Sequence, residues 1–393
     1  MKDLTNKCIA AVMIITAALN VACQNNKMDK GTIKIDLSKG SLSNIEDVFS
    51  EIDICYLDST EDAIISGVVL SCQMNDDIMI VEGSEGILYV YDYFGHYIGS
   101  SKKTKGNGHG EFNVFTGYSY NNYTKRVEIV TPNELLFYDT SFNYLGKKKI
   151  PTESPQKDLN GTFFRQIYDI SESKHILLTS PIERKRNEFF TFDSNIAKEE
   201  DNISYNSYEI AEISMQEQSF YELNKTQYLF FPPCLTNKAF IYDNNSRKIK
   251  PYIEYIGTDL INTEDVKQYK NNRNKMLEYL TFKCEKIIPL RGLGNNDVIY
   301  TFFKAGGTTR ETYTSIFYIK DKTSKNLKNR TETTVKIPVF NKIKGDTLYA
   351  LVTPEDVKKM KHLSILNQKS KQLIEKASDE TNYALARYTL SKK

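Results

Sequence analysis

Residues Lys105–Phe112 of this 393-residue chain read KGNGHGEF, with glycines at 106, 108 and 110 and with His109 and Glu111 among them. Alternate glycines can cradle a phosphate, but a nucleotide loop needs a helix directly after it so that the first amides face the anion. Phe112–Tyr120 reads as a strand instead. The glycines are therefore expected to take positive-φ turns between two sheets, which leaves His109 and Glu111 as side chains free to project towards a ligand. A Ser/His/Asp site needs a histidine base, and the chain holds four histidines without a GxSxG elbow. His96 follows Gly95 in a turn, His175 opens a strand, and His362 lies in a helical stretch. The carboxylate runs Asp76-Asp77 and Glu199-Glu200-Asp201 sit in polar, turn-like sequence, and no DxDxDG calcium loop is present.

Four further polar residues interrupt apolar strand starts and could line a channel: Arg165 and Gln166 in FFRQIY, Arg291 after LTFKCEKIIPL, and Lys304 in TFFKAG. Salt bridging between sheets is their ordinary role. Cysteine chemistry is spare: Cys8 and Cys23 lie at the N-terminus, and Cys55, Cys72, Cys234 and Cys284 are dispersed with no CxxC. Buried free thiols are expected, with no metal site and no cofactor motif. Tyrosine (26) and phenylalanine (20) are abundant while Trp is absent, so strand packing is the first use of the aromatics.

These residues must be positioned by short alternating strands. The stretches around Asp77–Val81 with Ile87–Asp92, Arg126–Val130 with Glu134–Asp139, His175–Ser180 with Glu188–Asp193, and Thr226–Phe231 with Lys238–Asp243 each pair two strands. Each pair closes on an aromatic-Asp dipeptide: Tyr91-Asp92, Tyr138-Asp139, Phe192-Asp193 and Tyr242-Asp243. Gly-bearing turns follow the first two, at Phe94-Gly95-His96 and at Tyr144-Leu145-Gly146. A unit that returns at roughly 45–60 residues is a propeller blade. A fifth unit resumes after a helical insertion, with strands at Thr281–Leu290, Asp297–Lys304 and Tyr313–Ile319, and the insertion has Thr263 as its expected N-cap. A sixth has strands at Val335–Lys344 and Thr347–Val352, a second helical insertion, and Asn382–Leu390. The fold class is thus all-β, a six-bladed β-propeller over 31–393 with two short helical insertions at about 263–279 and 354–378. Thr32–Leu37 (TIKIDL) is expected to close the ring beside Asn382–Leu390.

Residues 1–22 carry Lys2 and Lys7 and then the 11-residue apolar run Ile9–Leu19, too short to span a bilayer and suited to a signal peptide. Ala22 precedes Cys23, as in a bacterial lipoprotein signal, and the polar run 23–30 reads as a tether. Removing residues 1–22 takes away Lys2, Lys7 and Asp3, so the net charge falls from +2 to +1. A near-neutral chain gives no reason for a nucleic-acid partner.

Laid out in this way, the chain resembles the six-bladed β-propeller lipoproteins common in Bacteroidetes, related in fold to NHL-repeat propellers. The family's GxGxGPGE-aromatic segment is matched by Gly106–Phe112 with His109 in place of proline, its opening by Tyr56–Val69, and its helix-then-strand ending by Pro354–Leu390. The resemblance implies an outer-membrane lipoprotein. Surface export in that family follows an acidic run after the cysteine, and Gln24-Asn25-Asn26-Lys27 lacks one, so a periplasm-facing position is implied. The expected function is non-catalytic binding or scaffolding, with a peptide, a glycan or an envelope protein at one end of the axis, through His109, Glu111, Arg165, Gln166, Arg291 and Lys304. The membrane is met only through the N-terminal lipid. A channel lyase or hydrolase, or an accessory of an outer-membrane transporter, are the alternatives. If Cys23 carries the anchor, Cys23→Ser moves the protein from the membrane pellet to the soluble fraction, and unchanged pelleting on immunoblots excludes it.

Overall fold

The computed structural model describes residues 32–37, 41–132, 134–150, 164–179, 188–195, 198–205, 217–269, 272–305, 311–329, 335–377 and 381–391. The expected signal, Cys23 and the tether lie outside them. The chain divides into two units, Met1–Ile33 and Lys34–Lys393. Only Thr32 and Ile33 of the first are described. The second unit is the six-bladed ring.

The chain enters through β1 (Ile33–Asp36), β2 (Ser41–Leu42), α1 (Ile45–Val48) and β3 (Phe49–Tyr56). Blade 1 is β4 (Val69–Met74), β5 (Ile78–Gly83), β6 (Leu88–Asp92) and β7 (Tyr97–Ser100). Blade 2 is β8 (Gly117–Asn121), β9 (Arg126–Val130), β10 (Glu134–Tyr138) and β11 (Tyr144–Lys149). Blade 3 is β12 (Phe164–Asp169), β13 (Lys174–Thr179), β14 (Glu188–Asp193) and β15 (Lys198–Ser204). Blade 4 is β16 (Phe220–Asn224), β17 (Gln227–Phe230), β18 (Lys238–Asp243) and β19 (Lys248–Ile256). After α2 (Thr263–Lys267) and α3 (Arg273–Glu278), blade 5 is β20 (Ile287–Gly294), β21 (Val298–Ala305), β22 (Thr312–Tyr318) and β23 (Thr323–Asn329). Blade 6 takes β24 (Lys342–Lys344) and β25 (Thr347–Val352), passes α4 (Pro354–Met360) and α5 (Gln368–Lys376), and ends with β26 (Ala384–Leu390).

The aromatic-Asp repeat has two separate causes. Tyr91, Tyr138, Phe192 and Tyr242 are buried between blades. Each following aspartate turns the chain into the outermost strand by accepting backbone N–H groups on Oδ1: Phe94 and His96 on Asp92, Ser141 and Asn143 on Asp139, Asn195 on Asp193, and Asn245 and Ser246 on Asp243. The third residue after the aspartate is Gly95 in blade 1, at φ +87°. In blade 2 that place belongs to Phe142, at φ +59°, and not to a glycine. Gly146 lies instead within β11, opposite Phe137. Phe142 tolerates the left-handed backbone because its ring is buried against Tyr138.

Ring closure follows the expected principle with a different strand. Thr32–Leu37 does not reach the last blade: β1 lies along β19 of blade 4, where Leu37 N–H donates to Ile256 O at 3.0 Å. The strand beside β26 is β3, in antiparallel register from Ala384↔Tyr56 to Leu390↔Phe49. Length and packing decide this. β1 has four residues, with Ile35 buried, whereas β3 has eight and sets Phe49 against Tyr388 at 5.1 Å and Phe340 at 5.9 Å. β2 runs parallel to β23, so the entering chain covers the outer edges of blades 4, 5 and 6 in turn.

The first insertion is two helices and a π-turn (Tyr279–Lys283), so its following strand starts at Ile287 and not at Thr281. Its cap is Asn262, one residue before the expected Thr263. Asn262 Oδ1 accepts from the N–H groups of Glu264 and Asp265, and Asp265 returns the bond to Asn262 N–H. The second insertion is likewise two helices, and only Lys342–Lys344 of the expected Val335–Lys344 segment pairs as a strand. Cys72, Cys234 and Cys284 are buried free thiols, and Cys55 is a half-buried one.

Two changes separate the strands in a thermal melt. Deleting residues 24–38 removes β1 and leaves the closing pair, so the fall in Tm is small. Phe49→Ala empties the closing strand's anchor and costs about 3–5 kcal/mol, the usual range for a buried Phe. The reverse order of effects would return closure to β1.

Candidate functional site

The innermost strands β4, β8, β12, β16, β20 and β24 surround a cavity of about 670 Å³ at the end of the axis where they finish. Blade 1 supplies Gln73, Asn75 and Asp76, and blade 2 supplies Ser119, Tyr120, Asn122, Tyr123 and Lys125. Gln166, Tyr168 and Asp169 come from blade 3, Tyr221, Glu222 and Lys225 from blade 4, and Asn295 and Lys342 from blades 5 and 6. Tyr123 is half exposed at the lip. Two of the lysines are committed, Lys125 to Asp77 and Lys342 to Asp76 at 3.0 Å. Burial, with Asp76 nearby, raises the carboxyl of Glu222 above its ordinary value.

The floor is a charged knot on the axis. Oε2 of Glu217 accepts from Cys72 N–H, from Asn341 Nδ2 and from Arg291 Nη1, each at 3.1 Å. Asn341 Nδ2 also donates to Cys72 O at 3.0 Å, and its Oδ1 accepts from Leu351 N–H at 3.3 Å. The chain entering blade 4 is thus tied to blades 1, 5 and 6. Burial works against the charge on Arg291, and Glu217 more than restores it.

A second polar group lies behind the wall between blades 2 and 3. Register sets Ser119 opposite Glu128 across β8–β9, and Asp169 opposite His175 across β12–β13. The two hairpins meet with His175 Nδ1 2.7 Å from Asp169 Oδ1 and 3.3 Å from Glu128 Oε2. Ser119 Oγ donates to Asp169 Oδ2 at 2.9 Å, and Arg126 Nε donates to Glu128 Oε1 at 2.7 Å. Glu128 and His175 are fully buried, and Asp169 forms the cavity wall. Burial, then the charge of Asp169, pushes the Glu128 carboxyl up to about 7. Burial alone would lower the imidazole, but its bond to Asp169 and the charges of Glu128 and Asp169 raise it above 6.5.

The three ligand atoms lie within 4.8 Å of one another, close enough for a metal ion. A proton fits the donor set better, because Nδ1 already bridges to Asp169 at hydrogen-bond distance and Arg126 supplies a second positive charge. The carboxylate stands between hydroxyl and imidazole, so His175 cannot take the proton of Ser119 as a Ser/His/Asp base would.

Of the residues singled out from sequence, Gln166 lines the cavity and Arg291 lies in the axial knot. The side chain of Arg165, within β12, is outside the described residues. Lys304 lies on β21, away from the cavity. His109 and Glu111 are exposed on the connection from β7 to β8, at the end of the axis opposite the cavity. His109 stands edge-on to Tyr144 at 5.0 Å, and Glu111 Oε2 accepts from Gly108 N–H at 2.8 Å. Within that loop Gly106 and Gly110 take positive φ and Gly108 does not. At Gly110 a Cβ would lie 2.5 Å from the Tyr144 ring, so the requirement for glycine is strongest there.

Sequence reading passed over Glu217, Glu128 and Asp169. For the last two a signal existed: a carboxylate at the centre of the apolar strand RVEIV, and an aspartate ending one strand of a hairpin whose next strand carries a histidine at its second position. Glu217 stands before a strand, with no pattern around it that marks the axis.

The family model described as a six-bladed β-propeller, DUF5128, matches residues 23–345. No curated protein matches in sequence. Among solved structures, a protein of Bacteroides fragilis described as exported is similar at TM-score 0.69 and 14% identity, over 92% of this chain and 100% of that one. A DUF4221 member from Bacteroides vulgatus is similar at TM-score 0.54 and 10% identity, over 87% of this chain and 98% of that one.

The buried cluster sets a pH dependence. Glu128 holds its proton more tightly when folded, so its stabilisation is complete below the unfolded value and is lost as pH rises through about 7, and His175, raised as well, acts in the same direction. Asp92, Asp139 and Asp243 act oppositely: burial raises their carboxyls, turn hydrogen bonds outweigh it, and the net lowering makes their contribution vanish in acid below pH 4 or so. Tm should therefore fall between pH 6 and pH 8.5, and Glu128→Gln should flatten that fall. An unchanged slope in the variant would remove Glu128 from the account.

Proposed function

We propose, since this chain belongs to the DUF5128 family of six-bladed β-propellers, that it is a non-catalytic binding lipoprotein of the cell envelope, anchored at Cys23, facing the periplasm, with its ligand in the axial cavity. The observation that carries this reading is the cavity of about 670 Å³ to which all six innermost strands contribute. That volume is in the range of small-ligand pockets, which combine ring faces with a few placed polar groups. Here Tyr123 offers an exposed ring at the lip, and Glu222 of blade 4 offers a carboxyl. A glycan or a short peptide, polar along its length, matches that lining better than a compact apolar ligand.

A second reading, a channel enzyme, draws on Asp169, which lines the cavity with His175 and Glu128 behind it. It would use Asp169 as an acid or base. Turnover of a bound glycan or peptide, abolished by Asp169→Asn, would favour it over binding alone.

The binding reading is tested with glycan and peptide arrays on the mature protein, followed by titration of the best ligand. Tyr123→Ala and Glu222→Gln should each weaken binding about tenfold, or about 1.4 kcal/mol. As surface changes they should leave stability within about 0.5 kcal/mol. His109→Ala and Glu111→Ala serve as the contrast. Loss of binding there, with none at Tyr123 or Glu222, moves the site to the opposite end of the axis.

A further inference from the structure

We propose that the ring carries a second ligand site, at the other end of its axis, for an unbranched acyl chain ending in a carboxylate. Where the inner strands begin, a cavity of about 580 Å³ opens among blades 1, 5 and 6. Glu217 and Asn341 border both cavities, so the axial knot is the partition between them.

The wall is mainly apolar: Val68, Leu70, Ile337, Pro338, Val339 and Leu351. Val68 is 67% exposed and Leu70 57%, which leaves an apolar lip in water. The polar groups in the wall are already engaged. Thr353 Oγ1 is bonded to Asp356, and both ends of the Asn341 amide are used in the knot. A peptide would find few partners there for its amides.

Arg291 in the interior, with Lys336 at the rim, is the exception. Its side chain is 2% exposed, and it lines this cavity. Glu217 takes only Nη1, while Nε and Nη2 have no partner among the described residues. Those two N–H groups lie on one edge of the guanidinium, the edge that forks onto a carboxylate. Leaving them unmatched while buried is costly. Glu217 already balances the charge of Arg291, and a ligand carboxylate would be balanced in turn by Lys336 at the rim. One anionic head on an apolar tail therefore satisfies the orphaned edge, the wall and the charge together.

The test is calorimetric titration of the mature chain with dodecanoate, kept below its micelle concentration, beside dodecanol and acetate. Saturable 1:1 binding of dodecanoate, at least tenfold tighter than either comparator, is expected. Val68→Asp and Leu70→Asp, both at exposed positions, should weaken it at least tenfold with Tm unchanged. Arg291→Gln should abolish the preference for dodecanoate over dodecanol. Should that variant fail to fold, the two lip variants still decide the matter. No binding, equal binding of dodecanol, or indifference to both lip variants overturns the proposal. Preference for a leucine-terminated peptide over dodecanoate overturns the acyl assignment.

Discussion

Each blade is covered only by its neighbours, so the ring stands or falls on the seam where the two parts of the chain meet. Blade 6 is complete only when β3 has joined β26. Side chains reinforce the seam across long separations in sequence: Ile54 N–H donates to Ser370 Oγ across 316 residues, and Asn367 Nδ2 donates to Asp53 Oδ1 at 3.0 Å. Because loop-closure entropy grows only logarithmically with length, such a join is affordable once made. It is slow to find, and it cannot form until the C-terminal strand exists.

The axis is organised by charge. A single carboxylate oxygen collects donors attached to three blades, and an apolar plug of equal volume could hold them as firmly. What the charged knot adds is a polar floor for both openings of the channel. The buried proton-holding group between blades 2 and 3 does the same for the cavity wall: it fixes Asp169 in that wall while hiding the imidazole behind it.

Much of the fold was legible because a physical need recurs in each blade. Tyr138-Asp139 marks a buried ring and a turn-capping carboxylate in one dipeptide, and β9, β10 and β25 lie within a residue of where alternation puts them. Closure was legible only as a necessity. Alternation in TIKIDL resembles that in FSEIDICY, and what separates them is the fit of Phe49 between Tyr388 and Phe340, which no local pattern contains. The axial site was less legible still. Gln166 and Arg291 were found as polar residues in apolar strands, but Glu217, Glu128 and Asp169 acquire their roles from partners in other blades, Asp169 from Ser119.

The path of the entering chain also fixes how the domain would meet a mechanical load. β1 lies on blade 4, β2 on blade 5 and β3 on blade 6, so force applied from the N-terminal side reaches them in that order. β1 and β2 are added fifth strands of four and two residues, and their detachment leaves every blade with four. They act as a fuse ahead of the seam. A pull from that side would spend itself on two expendable strands before the ring could open.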